Sequence, residues 1–414
     1  MRIVRVANFI TPRSGGLRTA LRELGAGYAA AGHEPVLVMP GGADRDERTA
    51  QGRVITLRGP VVPLTGGYRM LLSRRRVRGI LESLRPDRLE VSDRTTLRWT
   101  GRWASRHGVP AVMVSHESVA GLLSLPLTEG QGLARLVTGG LARFLADTLN
   151  ARTARDYTQV VCTTQWAAAE FERLGVANLR RVPLGVDLAL FSPLRHCLAL
   201  RQRYAGPDEV LLVHCGRLSP EKRPQRSLDA LARLRALGVP AVLVVAGDGP
   251  LRTRLERQAA RGGLPAHFTG FLPAPEAVAR LLATADVVIA PGPVETFGLA
   301  ALEALACGTP VVVSGSSALP EVVGAAGVAV AGEDFAAGVL GVLRQPAAGR
   351  RAAARARAEQ FGWPAAVRGF LAAHAAGPAG TGAAATGAGN AGTGDAGTAY
   401  VVAAGADTAG RASR

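Results

Sequence analysis

Apolar runs of four to six residues recur along the chain, each followed by a longer stretch with apolar residues at helical spacing. Short buried strands alternating with amphipathic helices are the mark of βαβ units, and a helical crossover returns the chain to pair in parallel. Candidate strands lie at residues 3–7, 35–39, 111–115, 159–162, 210–215, 242–246, 287–290 and 311–313, with helices at 17–31 and 227–237 among those between them. At 414 residues the chain exceeds what one hydrophobic core serves. The order of elements predicts an α/β fold of two Rossmann-like parallel-sheet domains, over 1–185 and 186–375, with 183–208 as linker. Residues 376–414 collapse into Gly, Ala and Thr; such a tail buries no core and is expected to be disordered.

Charge narrows the partners. The net charge is +17, and residues 1–186 hold 27 Arg against 15 acidic residues. A half this basic favours an anionic partner, such as phospholipid headgroups or a phosphorylated acceptor. Nucleic acid is not expected, because aromatics make up only 5% of the chain and are too dispersed to stack bases. No apolar run is long enough to span a bilayer. The opening residues, with Arg2, Arg5, Thr11, Pro12 and Arg13, read as a first buried strand rather than a secretory signal. Cys162, Cys197, Cys215 and Cys307 are scattered with no CxxC, so neither zinc nor a disulfide framework is indicated. A cytoplasmic protein is expected, with attachment to the inner face of the membrane as a further expectation.

The second half concentrates the chemistry. Gly216-Arg217-Leu218-Ser219-Pro220-Glu221-Lys222 follows a predicted strand, where cations reach a ligand in the cleft. Arg217 and Lys222 can neutralise a departing diphosphate without a metal. Lys222 is the only lysine in the sequence, a compact point charge where every other cation is a planar fork. Glu295 and Glu303 form an E-x7-E pair around Thr296, Phe297, Gly298 and Leu299. Residues 297–299 supply backbone N–H groups at a helix start, a phosphate site, and Glu303 returns to the same face two turns on. One carboxylate can take sugar hydroxyls and the other ribose hydroxyls. Gly247-Asp248-Gly249-Pro250 reads either as a tight turn near a ligand or as a plain strand-to-helix turn capped by Asp248. Thr269-Gly270-Phe271-Leu272-Pro273 reads as a short strand ending where a base can lie.

In this order and spacing, GRLSPEK, GDGP, TGFLP and ETFGLAALEALACGTPVV resemble the donor domain of glycosyltransferase family 4, and the resemblance covers residues 1–370. It implies a retaining, metal-independent enzyme of GT-B architecture that moves a sugar from a nucleotide diphosphate donor and needs no cofactor. Carried over by position, Arg217 and Lys222 match the diphosphate pair, Glu295 the carboxylate on the transferred sugar, and Glu303 the ribose ligand. The stretch 297–299 matches the backbone phosphate contacts, and Phe271 with Leu272 the segment beside the base. In the first half, Gly15 and Gly16 match the glycine loop against the donor phosphates. His116 matches the histidine that contacts the transferred sugar, although Glu117 stands where many members carry Asp. Glu276, just after the TGF-type segment, matches the acidic residue that guanine-using relatives often carry and leans the donor toward GDP-mannose. The Arg-for-Lys, Ala-rich composition points to a GC-rich genome, and with it the resemblance extends to actinobacterial mannosyltransferases acting on inositol-based or glycolipid acceptors. A UDP-sugar with a soluble acceptor, a nucleotide-sugar isomerase and a non-catalytic sugar-nucleotide binder are the competing readings.

Two further features lie outside these motifs. Residues 68–84 place Leu71, Leu72, Val77, Ile80, Leu81 and Leu84 at helical spacing, with Arg69, Arg74, Arg75, Arg76 and Arg78 on the remaining face. A basic amphipathic helix suits an anionic membrane surface, while the alternative is simple packing of its apolar stripe on a sheet. The apolar, Gly-rich stretch 118–146 reads as acceptor-facing or membrane-dipping. Asp44-Arg45-Asp46 has the form of a metal-binding DxD but sits in a polar, Gly-rich stretch and reads as surface loop.

Overall fold

The computed structural model describes residues 1–11, 15–62, 67–116, 133–376 and 401–402, without the side chains of 133–139 and 401–402. The first sheet contains β1 (Arg2–Val6), β2 (Glu34–Gly41), β3 (Arg45–Thr49), β4 (Gly52–Arg58), β5 (Arg88–Val91), β6 (Ala111–Ser115), β7 (Gln159–Cys162) and β8 (Leu179–Arg181). Their order is β3-β4-β2-β1-β5-β6-β7-β8, and all pairs are parallel except β3 with β4. The second sheet contains β9 (Val210–Cys215), β10 (Ala241–Ala246), β11 (Ala266–Gly270), β12 (Val287–Ala290), β13 (Val311–Ser314), β14 (Gly327–Val330) and β15 (Val401–Val402). It runs β11-β10-β9-β12-β13-β14-β15, parallel throughout.

This order fixes where ligands bind. Strand order reverses beside β1 in one sheet and beside β9 in the other. At such a switch point the connecting helices leave to opposite faces and open a crevice at the carboxyl ends of the strands. The Gly15–Gly16 loop follows β1 and the Gly216–Lys222 loop follows β9, so the two loops arise at the two crevices. The central strands of both sheets read as mostly apolar runs because both faces are covered by helices.

The helix expected over 68–84 begins only at Arg74. Ser73 caps it, its hydroxyl accepting from Arg76 N at 3.3 Å, and Arg69 is held extended by bridges to Ile10 and Val61. Val77, Leu81 and Leu84 bury against the first sheet, while Arg74, Arg75, Arg76 and Arg78 face solvent. Asp44 and Asp46 flank the start of an exposed, charged edge strand rather than a loop. Asp44 pairs with Arg76 at 2.8 Å and Asp46 with Arg53 at 2.7 Å. A charged edge of this kind blocks pairing with another chain.

The helix Trp363–Ala375 crosses back to the first domain and packs on the helix Gly16–Ala30, where a Cβ on Gly27 would meet Val367 at 2.3 Å. His374 on that helix reaches a buried cluster: Glu90 Oε1 accepts from Arg5 Nε at 2.9 Å, and Glu90 Oε2 lies 2.7 Å from Tyr28 Oη and 3.1 Å from His374 Nε2. Burial and the adjacent Glu90 hold the Tyr28 phenol well above its usual range. Most of the tail, and most of 118–146 up to the helix Leu133–Asp156, lie outside the described residues. No helix among the described residues is long and apolar enough to cross a membrane.

Candidate active site

The loop after β9 is seated on the loop after β10. Leu218 N donates to Asp248 O at 3.1 Å, and Leu251 N donates to Leu218 O at 3.0 Å. Gly247 has φ +153°, and a Cβ there would fall 1.8 Å from Gly216 O, so GDGP serves as the bed of the cationic loop. On that bed, the Lys222 Nζ donates to Glu295 Oε1, joining a loop after β9 to the loop after β12. Burial pulls the Lys222 ammonium down, but the charge and hydrogen bond of Glu295, with Glu221 and Tyr68, outweigh it and the net shift is upward. The lysine is therefore charged at neutral pH.

Glu295 leads directly into the helix Leu299–Ala306. Gly298 caps that helix with φ +79°, and any Cβ would strike Leu319 at 2.1 Å. Phe297 buries its ring edge-on to Phe361, with centroids 6.1 Å apart, which anchors the backbone of 297–299 at the positive end of the helix. Glu303 lines a small cavity of about 70 Å³ shared between domains, lined also by Leu299 and, from the first domain, Thr19 and Arg22. Burial pushes its carboxyl up to about 8, opposed by Arg22. At neutral pH it is mostly protonated, able to donate as well as accept toward a hydroxyl pair.

The first domain closes on these groups. A Cβ on Gly16 would lie 3.8 Å from Leu299, whereas one on Gly15 would meet nothing within 4 Å. The glycine loop thus abuts the donor helix and leaves open space beside it. His116 emerges at the end of β6, where burial pushes its imidazole down to about 4; the charge of Glu90 raises it and that of Arg5 lowers it. It is neutral at physiological pH, suited to hydrogen bonding a sugar hydroxyl without competing for the diphosphate charge. Its carbonyl accepts from Thr296 Oγ1 at 2.5 Å. Arg217 lies over the Tyr68 ring, 4.2 Å from its centroid.

The structure thus gathers Gly16, His116, Arg217, Lys222, Glu295, Thr296, Gly298 and Glu303 around one cleft. Phe271 is exposed at the end of β11 with half-buried Leu272 behind it, and Glu276 is exposed in the next helix. The four arginines of the basic helix are on the outer surface of the first domain. Tyr68 and Arg22 were not apparent in the sequence. Tyr68 reads as the start of a helix there, and Arg22 is one arginine among many on an amphipathic helix.

A cleft that gathers two cations, a helix N-terminus and two carboxylates has the chemistry to take an anionic ligand rich in hydroxyls, such as a nucleotide sugar. On two Rossmann-like domains it defines a GT-B glycosyltransferase. Residues 200–360 match the family model of the glycosyl transferases group 1, and residues 15–186 that of the glycosyl transferase 4-like domain. The chain is 52% identical over 376 residues to the GDP-mannose-dependent alpha-(1-6)-phosphatidylinositol dimannoside mannosyltransferase of Mycobacterium tuberculosis, covering 90% of this chain and 95% of that protein. It is 29% identical over 318 residues to a GDP-mannose-dependent alpha-mannosyltransferase of Mycolicibacterium smegmatis, covering 75% of this chain and 79% of the relative. Sucrose-phosphate synthase from Thermosynechococcus elongatus shares the fold with a TM-score of 0.70 at 20% identity, covering 90% of this chain and 98% of that one. The chain belongs to glycosyltransferase family 4, as its motifs imply.

Proposed function

We propose that the enzyme transfers mannose from GDP-mannose to a mannosylated phosphatidylinositol acceptor, with retention at the anomeric carbon and no metal. The observation that carries this reading is the 52% identity, over 90% of this chain, to the mycobacterial mannosyltransferase whose name gives that donor and acceptor. The diphosphate would lie between the Arg217–Lys222 loop and the helix start at 297–299. Glu295 would hold mannose hydroxyls from one side and His116 from the other. The bond from C1 to the diphosphate oxygen breaks as the acceptor oxygen bonds C1 on the same face, and the acceptor's proton passes to the departing GDP. No side chain is needed as nucleophile. The diphosphate's charge is met by Arg217, Lys222 and a helix dipole, while Asp44 and Asp46 are each already paired with an arginine. A UDP-sugar with a soluble acceptor is the second reading.

A panel of GDP-mannose, UDP-glucose, UDP-GlcNAc and UDP-galactose, with released nucleotide scored in the presence and absence of EDTA, tests donor and metal together. GDP release from GDP-mannose alone, unchanged by chelator, is expected. Preference for a UDP-sugar, or loss with EDTA restored by magnesium, would overturn the corresponding part.

The acceptor's lipid nature favours reversible attachment to anionic membrane. Arg74, Arg75, Arg76 and Arg78 present exposed charge on one helix. Each arginine near an anionic surface contributes about 1 kcal/mol, fading within a Debye length. Sedimentation should show more binding to anionic than zwitterionic vesicles, lost at high salt and in a variant with all four changed to Gln. Equal binding to both lipids would leave this helix as core packing alone.

A further inference from the structure

We infer that Thr296 and Glu321 form an interdomain clasp that positions His116 against Glu295. The inference rests on the assignment of the cleft as the transfer site but not on the identity of the sugar. Thr296 is buried between Glu295 and Phe297, and both of its outward polar groups bond across the cleft. Its carbonyl accepts from Thr164 Oγ1 at 2.9 Å and Thr163 Oγ1 at 3.3 Å, and its hydroxyl donates to His116 O at 2.5 Å. Thr163 and Thr164 follow β7 and His116 follows β6. These strands are neighbours, so one edge of the first sheet grips one residue of the donor loop.

Glu321 makes the second hold. It lies in the helix Leu319–Val323 of the second domain, yet its Oε1 accepts from Gln165 N at 2.9 Å and its Oε2 from Trp166 N at 3.2 Å. Those two donors open the helix Gln165–Glu172, and Thr164 Oγ1 takes the next, Ala167 N, at 3.2 Å. The start of a helix in one domain is therefore capped partly by a carboxylate from the other, the sign of charge that a helix N-terminus favours. The two holds belong to one unit, because Ala318 N, at the start of the Glu321 helix, donates to Glu295 O at 2.9 Å. Separating the domains would return all these groups to water and free the His116 backbone from the loop that carries Glu295 at once. Displacement of a reacting group by about 1 Å is enough to slow an oriented reaction up to about 10²-fold.

The Glu321 carboxylate bonds Gln165 N and Trp166 N, neither of which is among the donor groups assigned above. Glu321→Ala should therefore lower kcat about tenfold or more for whichever donor the wild type turns over, with GDP affinity within about twofold of wild type. Its radius of gyration by X-ray scattering should rise. Thr296→Val should lower kcat similarly, and Thr296→Ser, which keeps the hydroxyl, should restore most of it. Unchanged kcat and unchanged scattering in Glu321→Ala would overturn the clasp. So would a loss in which kcat and GDP affinity fall together with the melting temperature, which marks a merely structural residue. A wild type inactive on every donor would count against the transferase reading instead, and scattering would still judge the clasp.

Discussion

Lys222→Ala should lower kcat by about 10²–10³-fold while leaving the melting temperature close to wild type, the range expected when one preorganised group facing developing charge is removed. The ammonium is paired with Glu295. A bound donor offers it a diphosphate whose charge grows as the bond to C1 breaks, so the lysine contributes more to the transition state than to the bound donor. Loss should therefore fall mainly on kcat, with a smaller change in GDP affinity. Lys222→Arg should not restore full activity, because a planar fork does not replace a point charge against both Glu295 and a phosphate oxygen. Nucleotide release under saturating donor reads kcat, and thermal melting reads the fold. A variant that keeps more than a tenth of wild-type activity would remove Lys222 from the mechanism.

The donor half was legible because its chemistry is contiguous. Strand, loop and helix start follow one another in GRLSPEK and in ETFGL, so each ligand group sits within a few residues of the strand end that aims it. The contrast of one lysine among 48 arginines needed no structure. The first domain's share of the cleft is assembled from separate strands, and its partners are remote. Tyr68 meets Arg217 from a segment that looks helical by spacing, because apolar periodicity does not reveal that Arg69 bridges Ile10 and Val61. Strand β3, RDERT, has no apolar period at all; hairpin pairing with β4 makes it a strand. Glu321 looks like an ordinary exposed glutamate until the domains are brought together. A signal was available for the cluster under β1 and β5: Arg5 and Glu90 are opposite charges, each flanked on both sides by apolar residues of its strand, and a buried charge demands a partner. Nothing in the sequence points to His374, 284 residues from Glu90, as the third member.

That cluster gives the largest expected effect on stability. Glu90 and Arg5 are each about 1% exposed, and Glu90 also holds Tyr28 and His374, so one carboxylate joins β1, β5, the helix Gly16–Ala30 and the helix that returns from the second domain. Replacing it with Ala leaves Arg5 buried without its counter-charge, a change that costs about 3–5 kcal/mol. Glu90→Gln should cost less, since the amide oxygen still accepts, although the positive charge stays uncompensated. Burial alone would raise the Glu90 carboxyl, but Arg5 and His374 overcome it and hold it well below the usual carboxylate range. A depressed folded-state pKa means the contribution is fully present above the unfolded value of about 4.3 and is lost as pH falls toward the folded one. Urea unfolding at pH 7 should therefore show the full deficit in Glu90→Ala. Below about pH 4 the gap between wild type and variant should narrow, because the wild type gives up this contribution and the variant has none to lose. A deficit under 1 kcal/mol at pH 7, or one that does not shrink in acid, would mean that the cluster merely fills space and that packing of Val367 on Gly27 holds the returning helix in place.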